Sequence, residues 1–379
     1  MSGFQYIDNS WQLEAFVAGL AGQKRIAIDT EFVRERTYYP ILCLIQVAGH
    51  FDPGDGAVIA LIDPMAIDDL TSLGRLLGDT RITKVLHAGR QDIEVLLART
   101  GSMPKPVFDT QIGAALLGHG SQVSYAALVE TLLGVRLNKA HTRTDWARRP
   151  LRSEQLTYAA ADVRYLFELE ARLAEELNLR GRAGWAAAEL DGLADEKLYR
   201  SAPGEAWRRL KGLPGLEAPA HAVARSLAAW RERQAMSDDR PRQWILRDAA
   251  LLQLARSAPR AEAELAGIAD LSGGFARRHG AELVGLISDA REDPAGEAES
   301  WPRPRLDAGQ KALLSRLAGE VRACAEQHLL SPELLATRSD LERLVRGDND
   351  PAVLQGWRLE LIGERLREIV NGNGNPGKL

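Results

Sequence analysis

Three stretches of this chain place acids and a phenol at spacings suited to metal chemistry: Asp29 and Glu31 in IAIDTEF, Asp92 in KVLHAGRQDIEVL, and Tyr158 with Asp162 in YAAADVRYLFEL. The apolar run Ile26, Ala27, Ile28 predicts a buried strand leading into the first acidic pair. Side chains alternate along a strand, so Asp29 and Glu31 share a face and Thr30 points away. Carboxylates held side by side repel unless a cation lies between them, and hard divalent ions such as Mg²⁺ favour such oxygen ligands. Asp92 falls in the first turn of a helix predicted to continue through Ile93, Val95, Leu96 and Leu97, just beyond the strand-like Lys84–Ala88 and the break at Gly89. Tyr158 and Asp162 stand four apart in a segment whose Leu156, Ala159, Val163, Leu166 and Leu169 keep helical periodicity, so both project from one helix face. A phenol beside a metal-binding carboxylate can orient a water molecule. Each stretch alone also fits a structural role: a solvated strand end, an acid favoured at a helix N-terminus, a tyrosine tied to backbone. His87, alone at the end of an apolar strand, reads as a packed, hydrogen-bonded residue and stays outside the metal set.

Taken together and in this order, IAIDTEF, LHAGRQDIEVL and YAAADVRYL resemble the three exonuclease motifs of the DEDD superfamily, in the branch with a tyrosine four residues before the last aspartate. Tyr158 in place of a histidine separates the chain from the sister branch. FVRERTYYP at 32–40, LCLIQVA after it, FDTQ at 108–111 and RTDWARRPL at 143–151 narrow the likeness to the ribonuclease D family, and it extends over nearly the whole chain. The resemblance implies an α/β ribonuclease-H-like 3′-5′ exonuclease domain, a mixed sheet flanked by helices, followed by two all-α HRDC-like domains. It also implies a 3′-5′ exoribonuclease that uses two divalent ions, Mg²⁺ or Mn²⁺. Asp29, Glu31 and Asp162 would hold one ion and Asp29 with Asp92 a second, with Tyr158 orienting the attacking water and 5′-mononucleotides as products. The partner it implies is RNA with a free 3′ end, above all transfer-RNA precursors.

Composition adds limits. A length of 379 residues predicts two or three domains, and a hydrophobic content of 45% is ample for packed cores. With 48 Lys and Arg against 52 Asp and Glu, the formal charge of -4 gives no global field for a polyanion, so any grip on RNA must be local. Cys43 and Cys324 lie far apart without zinc-ligand spacing, which suits a reducing cytoplasm. No basic leader or apolar run near the roughly 20 residues of a membrane span is seen, and a soluble monomer is expected.

The pattern alternates to about Leu177, with strands predicted at 26–32, 41–48, 58–63 and 84–88 and helices near 90–100, 110–118, 124–133 and 153–177. The first three strands come without intervening helices, which predicts an antiparallel meander joined to a later parallel strand. Thereafter only helices are signalled. The expected division is an exonuclease domain at 1–205, a linker at 206–216, a first HRDC domain at 217–292, a linker at 293–304, a second HRDC-like domain at 305–371 and a tail at 372–379. RPRQWILRD at 240–248 and LQGWRLELIG at 354–363 carry the HRDC likeness, more loosely for the second.

Candidate RNA contacts are Arg34, Arg36, Lys139, Arg143, Arg148 and Arg149, which cluster in sequence around the first and third motifs. The same five catalytic positions would serve a DNA exonuclease of the proofreading type, and a 2′-hydroxyl contact is what would separate the two. A scaffold that had lost activity would have lost acids from the set, and all four carboxylates and the tyrosine are present. Because all five precede the 206–216 stretch, residues 1–205 alone are expected to hydrolyse short RNA.

Overall fold

The computed structural model describes residues 3–50, 57–137, 144–213, 216–292 and 305–372. By contact the chain forms two units: residues 1–33, 42–199 and 306–379 in one, residues 34–41 and 200–305 in the other.

The first unit is built on a six-stranded sheet of β1 (Gln5–Ile7), β2 (Arg25–Val33), β3 (Ile41–Gly49), β4 (Val58–Ile62), β5 (Thr83–Leu86) and β6 (Val107–Asp109), ordered β1-β4-β3-β2-β5-β6. β3 and β4 pair antiparallel, whereas β5 runs parallel to both β2 and β6 and β1 parallel to β4. The sheet is therefore mixed, as the strand spacing predicts. β1 and β6, three residues each, are too short for a period-2 signal and are absent from the sequence reading.

β2 lies between β3 and β5, so both its edges are paired, and a separate core covers each of its faces. Ile26 and Ile28 enter one core with Leu13, Phe16, Ile93 and Leu96. Ala27 enters the opposite core with Ala159, Ala160 and Val163 of the helix Ser153–Arg164. This alternation decides which helix each acid of the strand meets, since residues 29 and 31 share the parity of Ala27 and residue 30 that of Ile28.

The helices after residue 305 share a third core with the nuclease part of the same unit, where Leu116, Leu128, Leu169 and Leu173 join Leu317, Leu335 and Leu366. Trp185 stacks on Trp357 with ring centroids 4.6 Å apart. Glu189 accepts a two-pronged bond from Arg358 at 2.6 and 3.0 Å and another from Trp357 Nε1 at 3.0 Å. Gly118 has φ +92°, and a Cβ there would lie 2.4 Å from the Leu329 carbonyl oxygen, so only glycine fits. Segments read from sequence as separate domains are thus one packed body.

The second unit is helical, with long helices Ala218–Ser237 and Gly273–Glu292. Its core includes Trp207, Leu210, Leu213 and Leu216, so the stretch expected to be a linker at 206–216 is packed where it is described. Residues Pro203–Arg209 form a 3-10 turn that carries Trp207, and Leu210 caps it in extended conformation. The 293–304 linker and residues 373–379 of the tail lie outside the described residues. Among the described residues no helix is long and apolar enough to cross a membrane.

Candidate active site

Asp29, Glu31 and Asp162 converge: each offers a carboxylate oxygen within 4.8 Å of the others, and all three remain partly exposed. Strand parity brings Asp29 and Glu31 to the face covered by the helix Ser153–Arg164, and Ala159 and Ala160, both buried, let that helix lie close. Asp92 arrives from the other face. It sits on the helix Arg90–Thr100, is buried, and accepts a hydrogen bond from Thr30 Oγ1, the residue whose parity points away from Asp29 and Glu31. The cap of that helix is Gly89, which makes no side-chain cap bond, so Asp92 is not serving as the cap. Gly89 itself is required, because a Cβ there would meet Leu86 Cβ at 2.7 Å.

Asp109, at the end of β6, fixes the turn before Asp92. Its oxygens accept from the N–H groups of Ala88 at 3.0 Å and Gly89 at 2.8 Å, and from Gln111 N–H at 2.8 Å. His87 is occupied on both nitrogens, with Nδ1 2.9 Å from Thr110 Oγ1 and Nε2 3.0 Å from the Val123 carbonyl, so Nε2 must carry the proton. Burial lowers its pKa. It is a packed histidine, as its sequence context suggests.

The third motif differs from the expected continuous helix at 153–177. The helix Ser153–Arg164 ends at Tyr165 and a second runs Leu166–Leu179. Tyr125 causes the break: its hydroxyl donates to the Ala161 carbonyl at 3.1 Å and accepts from Tyr165 N–H at 3.1 Å, filling a rung of the helical ladder. The break falls at Tyr165, three residues after Asp162. Tyr125 is thus a positioning residue that the sequence reading missed, and its separation from its partners leaves no local signal. Tyr125→Phe should cost about 1–2 kcal/mol of stability and slow RNA hydrolysis at saturating substrate; thermal melting and single-turnover rates would check both.

Crowding of acids sets the electrostatics. Burial, then Asp92, Asp162 and Glu31, raise the Asp29 pKa well above the usual carboxylate range. Burial, with Asp162 and Asp92, pushes Glu31 to about 9. Asp162 is raised to about 7 by burial against the opposing hydrogen bond from Tyr158, and Asp92 to about 6 by burial against that from Thr30. Burial first and the neighbouring carboxylates next raise the Tyr158 phenol, whose ring packs 6.2 Å from the buried Trp146. Such a donor set, all oxygen, converging and mutually repelling, fits one or more hard divalent cations.

These shifts have a measurable consequence. Because the folded pKa values exceed the unfolded ones near 4, the stability they contribute is present below about pH 4 and is lost as pH rises through about 6, 7 and 9 for Asp92, Asp162 and Glu31. A cation that binds the ionised cluster reverses that loss. The rise in melting temperature given by Mg²⁺ over chelator should therefore grow between pH 6 and pH 9, and a rise independent of pH would contradict this electrostatic account.

Of the candidate RNA contacts, Arg149 is engaged within the fold. All five of its guanidinium donors are occupied, by both oxygens of Asp63 at 2.6 and 2.7 Å and by the carbonyls of Cys43, Trp146 and Arg148. Asp63, buried and also bonded by Tyr6 at 2.5 Å, ties this guanidinium into the fold. Arg148, Arg34 and Arg36 are exposed, the latter two in the second unit. Lys139 and Arg143 lie outside the described residues.

The 3′-5′ exonuclease family matches residues 4–178, and the HRDC domain matches residues 220–287. Ribonuclease D of Acidiphilium cryptum is 41% identical over 97% of this chain and 93% of that protein. Ribonuclease D of Granulibacter bethesdensis is 39% identical over 97% of this chain and 92% of its own length. Among solved structures, that of Escherichia coli RNase D superposes with a TM-score of 0.83 at 35% identity, over 97% of this chain and 99% of that one. The catalytic core of RRP6 from Trypanosoma brucei, 24% identical with a TM-score of 0.57 over 76% of this chain and 80% of its own, shares the fold. Since the likeness runs through the helical regions as well as the acidic stretches, this chain belongs to the ribonuclease D family.

Proposed function

We propose that this protein removes nucleotides one at a time from the 3′ end of structured RNA, transfer-RNA precursors among them, releasing 5′-mononucleotides at the Asp29, Glu31, Asp92, Asp162 and Tyr158 site. A ribonuclease D is a 3′-5′ exoribonuclease, and the Escherichia coli relative is an exoribonuclease involved in structured RNA processing. The observation that carries the catalytic assignment is the convergence of Asp29, Glu31 and Asp162. These three would hold one Mg²⁺ or Mn²⁺, and Asp29 with Asp92 a second. Bound there, the ions would supply Lewis-acid activation of the attacking water and stabilise charge on the departing 3′ oxygen.

Tyr158 does the work that falls to a neutral phenol. Burial and the carboxylates around it keep it protonated, and its hydroxyl is tied to Asp162. From there it orients water toward the phosphorus. Tyr158→Phe should lower the single-turnover rate by about 10²-fold with little change in Mg²⁺ affinity. A variant that loses stability and keeps its rate per folded molecule would make the hydroxyl structural.

The substrate reading is tested with end-labelled RNA and DNA of matched sequence, with and without Mg²⁺. Metal-dependent shortening of RNA in preference to DNA is expected. Equal or faster digestion of DNA would overturn it in favour of a DNA exonuclease.

A further inference from the structure

Residues 34–41 leave the acidic strand within three residues of Glu31, yet by contact they belong to the helical unit with residues 200–305. Their anchoring is specific. The Tyr38 hydroxyl donates to Glu232 Oε1 at 2.5 Å, lies 2.7 Å from Ser201 Oγ and accepts from Arg242 Nη2 at 3.2 Å. Arg242 is paired with the same buried Glu232, Nη2 to Oε1 at 2.7 Å, and its guanidinium lies 4.7 Å over the Tyr38 ring. The N–H groups of Tyr38 and Tyr39 both donate to one oxygen, Asp239 Oδ1, each at 3.0 Å.

The clamp fixes Tyr39 by its backbone and leaves its side chain outward. Its ring stands edge-on to Tyr38, centroids 4.9 Å apart, and the residue is 43% exposed. Arg34 and Arg36 are exposed on the same segment. An exposed aromatic ring held by its backbone, on a segment that also carries cations, is what single-stranded nucleic acid binds, bases stacking on the ring and phosphates meeting guanidinium groups. Chain length bounds its position: eight residues past Glu31, the Tyr39 Cα lies within roughly 28 Å of the Glu31 Cα, a reach of a few nucleotides.

We propose that Tyr39 stacks on a base of the substrate RNA near its 3′ end, presented by the clamp of Tyr38, Glu232, Arg242 and Asp239. The inference rests on the exoribonuclease reading above. Glu232 and Arg242 pair with each other and so build the helical unit, whereas Asp239 Oδ1 serves the segment itself. Asp239 has φ 47°, which glycine adopts freely, so Asp239→Gly removes the acceptor without backbone strain and Asp239→Asn retains an oxygen.

The test is single-turnover hydrolysis of a 5′-labelled single-stranded RNA in Mg²⁺ over a range of protein concentrations. A parallel set of RNAs carries one abasic nucleotide at each of the last several positions. Tyr39→Ala should raise the half-saturating concentration about tenfold at an unchanged saturating rate, and Tyr39→Phe should restore it. One abasic position should cost the unaltered protein as much and cost Tyr39→Ala nothing further, the signature of a coupled pair. Asp239→Gly should reproduce part of the loss and Asp239→Asn should not. An unchanged half-saturation in Tyr39→Ala, a loss that Tyr39→Phe does not repair, or abasic costs equal in both proteins would overturn the proposal. So would a flat abasic scan in the unaltered protein, which requires no substitution. Absence of any 3′ shortening by the unaltered protein would instead refute the exoribonuclease reading.

Discussion

Asp29→Asn and Asp92→Asn are each expected to lower single-turnover RNA hydrolysis by about 10³-fold or more, since holding the ions is worth several kcal/mol of barrier. The same substitutions should leave the metal-free protein melting no lower than the parent. Ionisation of Asp29 is opposed by burial and by Asp92, Asp162 and Glu31, so a neutral amide there removes a group that is costly to ionise in the fold. In Asp92→Asn the amide oxygen can still accept from Thr30 Oγ1, which keeps the helix Arg90–Thr100 against β2. Activity and stability should thus move apart. Rates measured in Mg²⁺ beside melting curves in chelator would check both halves, and near-parental turnover in either variant would remove that carboxylate from the catalytic set.

Ending the chain at residue 205 is expected to cost folding and not RNA affinity alone. This reverses the expectation from the order of motifs, in which chemistry survives such a truncation. The cut removes Trp357 from the Trp185 stack and Arg358 from the partly buried Glu189, a loss of about 1–3 kcal/mol for the charged hydrogen bonds. It also strips the 306–372 helices from the core that holds Leu116, Leu128, Leu169 and Leu173, where each re-exposed leucine costs about 1.5–3 kcal/mol. Against a typical margin of about 5–15 kcal/mol, that sum leaves no stable fold. Size-exclusion chromatography and thermal melting of the 1–205 fragment should show aggregation or no cooperative transition. A soluble fragment that melts like the whole chain would contradict the shared core.

What the sequence discloses about this site is what is local. The apolar run before Asp29, the parity of Asp29 and Glu31, and the four-residue spacing of Tyr158 and Asp162 each follow from a single element's geometry, and the observed strand and helix carry them as that geometry requires. The missed features depend on partners far away in the chain. Thr30 anchors Asp92 across 62 residues, Tyr125 splits the helix ladder 36 and 40 residues away, and Asp63 immobilises Arg149 across 86. Arg149 illustrates the cost: in sequence it is one cation in a basic run, and only the fold shows its donors filled. The burial of Trp207, Leu210, Leu213 and Leu216 was concealed differently, since the glycine and proline residues among them read as a linker.

Whether the acidic cluster cuts RNA from the 3′ end with divalent ions is decided by single-turnover digestion of one RNA labelled at either end. Mg²⁺ is titrated into chelator-treated protein and product lengths are resolved to the nucleotide. The 3′ label should leave first, as a mononucleotide, while the 5′-labelled strand shortens in single steps. No cleavage is expected before metal is added and none in Asp29→Asn. Internal fragments, loss of the 5′ label first, or hydrolysis that persists in chelator would contradict that role of the cluster.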